Sequence, residues 1–358
     1  MNKILVLSNY PTGALLKDGM FQRVKAIDGE LSEFQRVYLS VSLNKNWIGT
    51  HKKIDESVEL YKLNIAVHFL FIIYLFCKSH TIYIHSVYNF YLLSFLPFQK
   101  KDATFDLHGT APEETLFMGY PIWAKIYGKG EKIAFDKCSN FIYVSEEMKD
   151  YYIRKYPIAQ SKKHFVKPIF PSNAFVSVSE DCVKNRKEKL GIKNEDVVFI
   201  YSGNLQKWQN VELMMDRISQ VNDSHMFFIF LTGDIEGMKK MADAKFADNN
   251  IRYVIESVTP EELGEYYAVA NYGFILRDEH ILNQVASPTK LTEYLFYGLT
   301  PIVKFEKLGD AYRYGYDFVR YDADLSKLER IKSEKNREIA KMMLNKNRKE
   351  SVCSIMKI

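Results

Sequence analysis

The run Ala286-Ser287-Pro288-Thr289-Lys290-Leu291-Thr292-Glu293-Tyr294-Leu295 brings together residue types that suit one helix start. Serine favours the N-cap, and proline suits the first helical position, where its missing N–H costs no bond. The spacing therefore predicts Ser287 as the cap and Pro288 as the first helical residue. Unpaired amides, the positive end of the macrodipole and a lysine two residues further on form a ready site for phosphate. Glu293 follows Lys290 by three residues and Thr289 by four, so it shares their face about 5 to 6 Å along the axis. That is about the reach from a diphosphate to the hydroxyls of its ribose. Ser287, Thr289, Lys290 and Glu293 could thus hold both parts of an activated nucleotide donor.

Such a helix needs a scaffold, and the chain supplies alternating β-rich and helical patterns. Strands are expected at Lys3–Ser8, Arg36–Ser42, Val58–Leu63, Thr81–Ser86, Ala103–Leu107 and Phe141–Ser145, with helices at Met20–Leu31, Tyr88–Leu96 and Ile122–Cys138. Strands rich in Val, Ile, Tyr and Phe, each followed by a helix, indicate a parallel sheet covered on both faces. Pro157, Pro168 and Pro171 interrupt this rhythm and place a boundary near Pro168–Asn173. After a charged helix, Cys182–Leu190, strands resume at Val197–Ser202, Met226–Leu231, Ile251–Val254, Gly273–Leu276 and Ile302–Phe305. The expected fold is α/β, with two Rossmann-like doubly wound domains facing a cleft. Residues 1–170 form the first and 171–335 the second. Residues 336–358 form a C-terminal helix and tail that could pack back on the first.

Ligands of open parallel sheets sit at the carboxyl ends of the strands, so the residues just after each strand are the site candidates. Gly13 follows the first strand, but no complete G-x-G-x-x-G accompanies it, and a nicotinamide fingerprint is absent. Asp106-Leu107-His108-Gly109 closes another strand, ahead of Glu113 and Glu114. His108 is the group best suited to act on a substrate there, while Glu113 and Glu114 also fit as acids favoured by a helix start. In the second half, Gly203-Asn204 and Lys207 follow one strand. Ser257 and Val258 follow another, offering main-chain groups to a nucleobase. Arg277 follows a third, where it could clamp phosphate or pair with Asp278.

The chain has 358 residues, 47% hydrophobic and 26% charged, a globular composition that suits two domains. Its four cysteines are scattered, giving neither a zinc signature nor a disulfide framework, so a reducing cytoplasm is expected. The apolar run Ile65–Cys77 is shorter than the about 20 residues of a membrane span and is expected to be a helix buried against a sheet. Net charge is +5, and basic residues gather between Lys327 and Lys349. That cluster reads as a solvated helix face or as attraction to anionic headgroups at the inner membrane surface. Nucleic acid is not an expected partner, because no recognition motif accompanies the charges.

Taken together, Asp106-Leu107-His108-Gly109, Pro112-Glu113-Glu114, Tyr143-Val144-Ser145-Glu146, Tyr201-Ser202-Gly203, Lys207-Trp208-Gln209 and Leu276-Arg277-Asp278 through Ser287 to Leu295 resemble the GT-B glycosyltransferases, specifically the retaining, family-4-like group. Bacterial surface-polysaccharide transferases look like this. The resemblance implies a nucleotide-sugar site in the second domain, made of Gly203, Asn204, Lys207, Ser257, Val258, Arg277, Ser287, Thr289, Lys290 and Glu293. On the acceptor side it implies Gly13, Asp106, His108, Gly109 and Glu113, with His108, Lys290 and Glu293 as the catalytic residues. Glu293 matches the family acid that holds the ribose. Val285 stands where the other acid of that pair would fall, and Asn204 stands where an arginine is common. No Asp-x-Asp motif is present, and no metal or other cofactor is expected. The expected partners are a nucleotide sugar and a saccharide or lipid-linked saccharide acceptor, met in the cytoplasm or at the inner membrane face. A nucleotide-sugar epimerase and a non-catalytic nucleotide-sugar or glycan-binding protein remain the alternatives.

Overall fold

The computed structural model describes residues 3–13, 15, 18–96, 102–168, 175–247, 249–348 and 351–356. The chain divides into two compact units. Unit 1 holds Met1–Ile169 and Asn347–Ile358, and unit 2 holds Phe170–Lys346. The boundary expected at Pro168–Asn173 falls, beyond Pro168, outside the described residues.

Unit 1 is built on β1 (Lys3–Leu7), β2 (Gln35–Ser42), β3 (Thr50–Lys53), β4 (Val58–Asn64), β5 (Thr81–His85), β6 (Asp102–Leu107), β7 (Asn140–Tyr143) and β8 (Lys163–Val166). They lie in the order β3-β4-β2-β1-β5-β6-β7-β8, and all pairs are parallel except β3 with β4. The order reverses between β1 and β5, which is where a doubly wound sheet opens its ligand crevice. Helix Gly19–Glu30 follows β1, with Asp18 capping it by accepting from the Met20 amide at 2.7 Å. Its Val24 and Ile27 share a core with Val352 and Ile355 of the C-terminal segment Val352–Met356.

Unit 2 contains β9 (Val197–Ser202), β10 (Met226–Leu231), β11 (Arg252–Glu256), β12 (Tyr272–Ile275), β13 (Thr300–Val303) and β14 (Val319–Arg320), in the all-parallel order β11-β10-β9-β12-β13-β14. Alternation along the strands fills two cores. Val198, Ile200, Phe227 and Ile229 face one side, and Val197, Phe199, Phe228 and Phe230 the other. The switch point lies between β9 and β12.

Several expectations are corrected. Tyr88–Leu96 is not one helix but two single 3₁₀ turns, Val87–Asn89 and Tyr91–Leu93. Ser86, with φ +62°, breaks the chain direction just before them. Helix Phe69–Lys78 forms, yet only Ile72, Leu75 and Phe76 are buried, and Phe69, Leu70, Phe71 and Tyr74 stand in solvent. Ser287 does not cap helix Thr289–Phe296. Pro288 takes the cap position in an extended conformation, its carbonyl receives the Leu291 amide at 3.0 Å, and no side chain caps the helix.

Candidate functional site

Helix Thr289–Phe296 is seated on the unit 2 sheet by Leu291, Tyr294 and Leu295, all buried. Gly273 of β12 makes this seat possible, since a Cβ there would lie 2.4 Å from the Tyr294 ring. The seat fixes the register, so Lys290 and Glu293 project from the first turns toward the end of β9. Among the described residues the first two helical amides, Thr289 and Lys290, donate to nothing.

Lys290 reaches across to Gly203, just past β9. A Cβ on Gly203 would stand 2.7 Å from Lys290 Nζ and 2.7 Å from the Tyr201 hydroxyl. A larger residue here would push the ammonium and the Tyr201 hydroxyl aside. Lys290 Nζ lies 5.9 Å from the Tyr201 ring centroid, and the Tyr201 hydroxyl donates to the Asn204 carbonyl at 2.5 Å. Arg277 follows β12, the neighbour of β9. Its Nε is buried without a hydrogen-bond partner. Burial, and then the charge of Arg277, push the Lys290 ammonium down to about 8. Burial also pulls Arg277 below its ordinary value, with Tyr201 opposing. Neither cation forms an ion pair with any described acid. Asp278 turns away to bind Lys304, which removes the Arg277–Asp278 pair left open by the sequence. Two adjacent, partly desolvated cations outside any ion pair are costly unless an anion arrives.

Glu293 is also buried. The Tyr267 hydroxyl donates to its Oε2 at 3.0 Å and lies 3.1 Å from Ser202 Oγ. Burial raises the acid, while Tyr267 and Lys290 hold it down. Val285 is buried and apolar. Lys207 and Asn204 are exposed on the loop after β9, and Asn210 ties that loop to the Leu276 carbonyl at 2.6 Å. Ser257 is exposed and Val258 packs on the core past the end of β11, two strands from β9. Ser287 and Thr289 are half-buried at the helix start.

In unit 1, the strand ends converge on Asp106, which has no solvent exposure. Arg23 Nε donates to both of its oxygens at 2.9 and 3.0 Å, and a second guanidinium nitrogen lies 2.6 Å from Oδ1. Tyr83 donates to Oδ2 at 3.0 Å. His108 Nε2 and His85 Nδ1 stand 3.3 and 3.4 Å from Oδ2 and 3.0 Å from each other. Burial raises Asp106, but Arg23 and then His108 outweigh it and hold the carboxyl well below the usual range. Burial lowers His85 to about 4 and lowers His108, with Asp106 opposing in both cases. Both imidazoles are therefore neutral at neutral pH. His108 Nδ1 has no partner and is free for a hydroxyl.

These three side chains bring ligand atoms within 4.8 Å of one another, close enough for a metal ion. The surroundings argue against one. Arg23 already supplies the cation for Asp106, and the outward ring nitrogens of His85 and His108 lack the partners that orient metal-bound imidazoles. Glu113 is drawn away to Lys155 at 2.7 Å and Tyr151 at 2.6 Å, so it serves a structural network. Gly109 lies beside His108, and Gly13 is exposed with φ +55°. Sequence reasoning missed Arg23 and His85. Arg23 lies among Phe21, Val24 and Ile27 on the buried helix face, and His85 closes β5 as His108 follows β6.

Two parallel-sheet units of this topology define the GT-B glycosyltransferase fold, and solved structures bear the assignment out. HepE of Anabaena, in complex with UDP-glucose, matches with a TM-score of 0.59 at 12% identity, over 99% of this chain and 92% of its own. Sucrose-phosphate synthase from Thermosynechococcus elongatus gives 0.63 at 11% identity, over 97% and 98%. WaaG, a glycosyltransferase involved in lipopolysaccharide biosynthesis, gives 0.61 at 12%, over 99% and 97%. At these identities the likeness is one of fold. No family profile and no curated protein matches the sequence.

Proposed function

We propose that the protein is a glycosyltransferase that moves a sugar from a nucleoside-diphosphate sugar to a saccharide or lipid-linked saccharide acceptor, with retention, in cell-surface polysaccharide assembly. The observation that carries this reading is the pair of half-buried cations Arg277 and Lys290, neither in an ion pair with a described acid, set against Gly203 at the switch point of unit 2. A diphosphate supplies the missing charge. The open amides of Thr289 and Lys290 add donors to it, and Glu293 receives the ribose hydroxyls.

In the reaction, the acceptor oxygen forms a bond to the anomeric carbon on the face from which the diphosphate departs. The bond from that carbon to the phosphate oxygen breaks, its electron pair leaves with the nucleoside diphosphate, and the acceptor's proton passes to a leaving-group oxygen. Lys290 and Arg277 stabilise the charge that develops there, and the chemistry needs no metal. Neutral His108 orients a sugar hydroxyl through Nδ1. The protein acts in the cytoplasm, peripherally at the inner membrane face. A non-catalytic nucleotide-sugar-binding protein is the second reading. It is favoured by one feature: buried, apolar Val285 cannot engage a sugar hydroxyl.

The test is a thermal-shift screen of nucleoside diphosphates and their sugars, followed by product analysis with the best donor. Stabilisation tracks affinity for the folded state. Donor binding with transfer supports the transferase, and binding without product across a broad acceptor panel supports the second reading. Release of free sugar without any acceptor would instead indicate an epimerase. No shift with any nucleotide would overturn the donor site itself.

A further inference from the structure

The exposed large apolar side chains are unevenly placed. In unit 2 they stand singly, as Trp208 and Ile235 do. In unit 1 they concentrate in four segments, each following a parallel strand at its carboxyl end. Trp47 and Ile48 follow β2, Val67 and Leu70 follow β4, Phe95 follows β5, and Phe117, Ile122 and Trp123 follow β6. Parallel strands send these connections out of the same edge of the sheet. The segments also touch. A Cβ on Gly49 would meet the His68 ring at 2.7 Å, Phe69 stacks on Phe95 at 6.0 Å, and Tyr91 meets Trp123 edge-on at 6.1 Å.

The exposure is extreme for a surface without a partner. Ile48 is 96% exposed, Leu70 80% and Ile122 73%. Segments 43–48, 66–74, 87–96 and 116–129 contain no aspartate or glutamate, while Lys45, Lys125 and Lys129 are exposed within them. Indoles and branched aliphatics set among lysines, with no acid, match the headgroup region of an anionic bilayer. Lysine stems can lie along the apolar surface while their heads reach phosphate.

We propose that this edge of unit 1 docks into an anionic phospholipid bilayer, with Ile48, Leu70 and Ile122 entering the boundary between headgroups and acyl chains. No described helix is long and apolar enough to cross a membrane, and shallow insertion by several tips does not require one. The docking surface is therefore the apolar edge, and the basic residues of helix Glu334–Arg348 are secondary to it. The inference deepens the membrane contact in the proposed reading. Its test involves no donor, so failure of docking and failure of glycosyl transfer are read separately.

The test is sedimentation of the full chain with vesicles of phosphatidylcholine alone and of phosphatidylcholine mixed with phosphatidylglycerol. Wild type should partition onto the mixed vesicles. The triple variant Ile48→Ser, Leu70→Ser, Ile122→Ser should lose about tenfold or more in partitioning and keep its lipid-free melting temperature, since these side chains make little contact with the fold. Charge reversal at Lys341→Glu and Lys346→Glu should leave most of the binding. Brominated lipid should quench wild-type tryptophan emission, and Trp47→Phe with Trp123→Phe should abolish that quenching. The proposal fails if wild type stays in the supernatant, if the triple variant binds as wild type does, or if tail reversal alone abolishes binding. It also fails if wild type is a lipid-free dimer that the triple variant dissolves, because the occupant would then be a second copy.

Discussion

Replacing Lys290 by methionine separates the cost of the cation from its use. Methionine keeps the length of the side chain and removes the charge, leaving Gly203 and Tyr201 their packing. In the ligand-free protein the ammonium is lowered from 10.5 to about 8. At about 1.4 kcal/mol per pH unit this corresponds to at most about 3.5 kcal/mol of destabilisation by the protonated form. The sign follows from proton counts. Between about pH 8 and 10.5 the unfolded chain holds a proton that the folded one has released, so wild-type stability contributed by this group rises with pH across that window. Below pH 8 both states are protonated and the full penalty stands. Lys290→Met should therefore raise the ligand-free melting temperature at pH 7, at about 2 to 4 °C per kcal/mol, and the gain should shrink as pH approaches 10. The variant should also lose most stabilisation by nucleoside diphosphates. Differential scanning calorimetry at pH 7 and at pH 9.5, with and without ligand, reads all of this. A variant that melts lower than wild type at pH 7, or keeps nucleotide-dependent stabilisation, would refute the account of a desolvated cation outside any ion pair awaiting an anion.

The same linkage predicts that nucleoside-diphosphate affinity in wild type falls as pH rises through about 8, because a bound diphosphate favours the protonated ammonium. Titration calorimetry giving one affinity from pH 7 to pH 9 would contradict it. Glu293→Ala should weaken nucleotide binding by about 10- to 100-fold through loss of charged hydrogen bonds to the ribose, and an unchanged dissociation constant would remove that role. Gly203→Ala should displace Lys290 Nζ, which would stand 2.7 Å from the new methyl. Transfer should fall with little change in melting temperature, and a wild-type rate would show that the contact is not needed. Asp106→Asn leaves Arg23 buried without its counter-charge, at a cost of about 3 to 5 kcal/mol. Chemical denaturation that finds the variant as stable as wild type would contradict the pairing.

Both sheets were legible because their strands are continuous Val, Ile and Phe runs, and burial on both faces leaves few alternatives. β3 was not legible. Its residues Thr50-His51-Lys52-Lys53 are all exposed and carry no apolar alternation, so only the antiparallel pairing with β4 defines it. β14 is two residues long and β8 is half-exposed, below what a pattern can reveal. The Phe69–Lys78 run is apolar on every side, which usually signals a buried helix. Here the same pattern marks an uncovered surface, and sequence alone does not separate the two. The cap of Thr289–Phe296 was misread because proline can occupy the cap as well as the first turn, and the seat of Tyr294 on Gly273 fixes the choice.

Lys290, Glu293 and Arg277 were readable as loop and helix-start residues, but their states were not. Nothing in the sequence says that Asp278 bonds Lys304 rather than Arg277, nor that Glu113 is spent on Lys155. Those partnerships decide where charge is left over. Each unit places a cation past the strand ends of its switch region, buried in unit 1 and half-buried in unit 2. In unit 1, Arg23 is neutralised by Asp106, and the two imidazoles beside it are uncharged, so the region offers neutral hydrogen-bonding groups suited to sugar hydroxyls. In unit 2, Arg277 and Lys290 form no ion pair with a described acid, and Glu293, a turn further along the helix, bonds Tyr267 and attracts Lys290 only at longer range. The two switch regions thus differ in the presence of an ion-paired partner for the cation. On the proposed reading, that difference matches a diphosphate at unit 2 and sugar hydroxyls at unit 1.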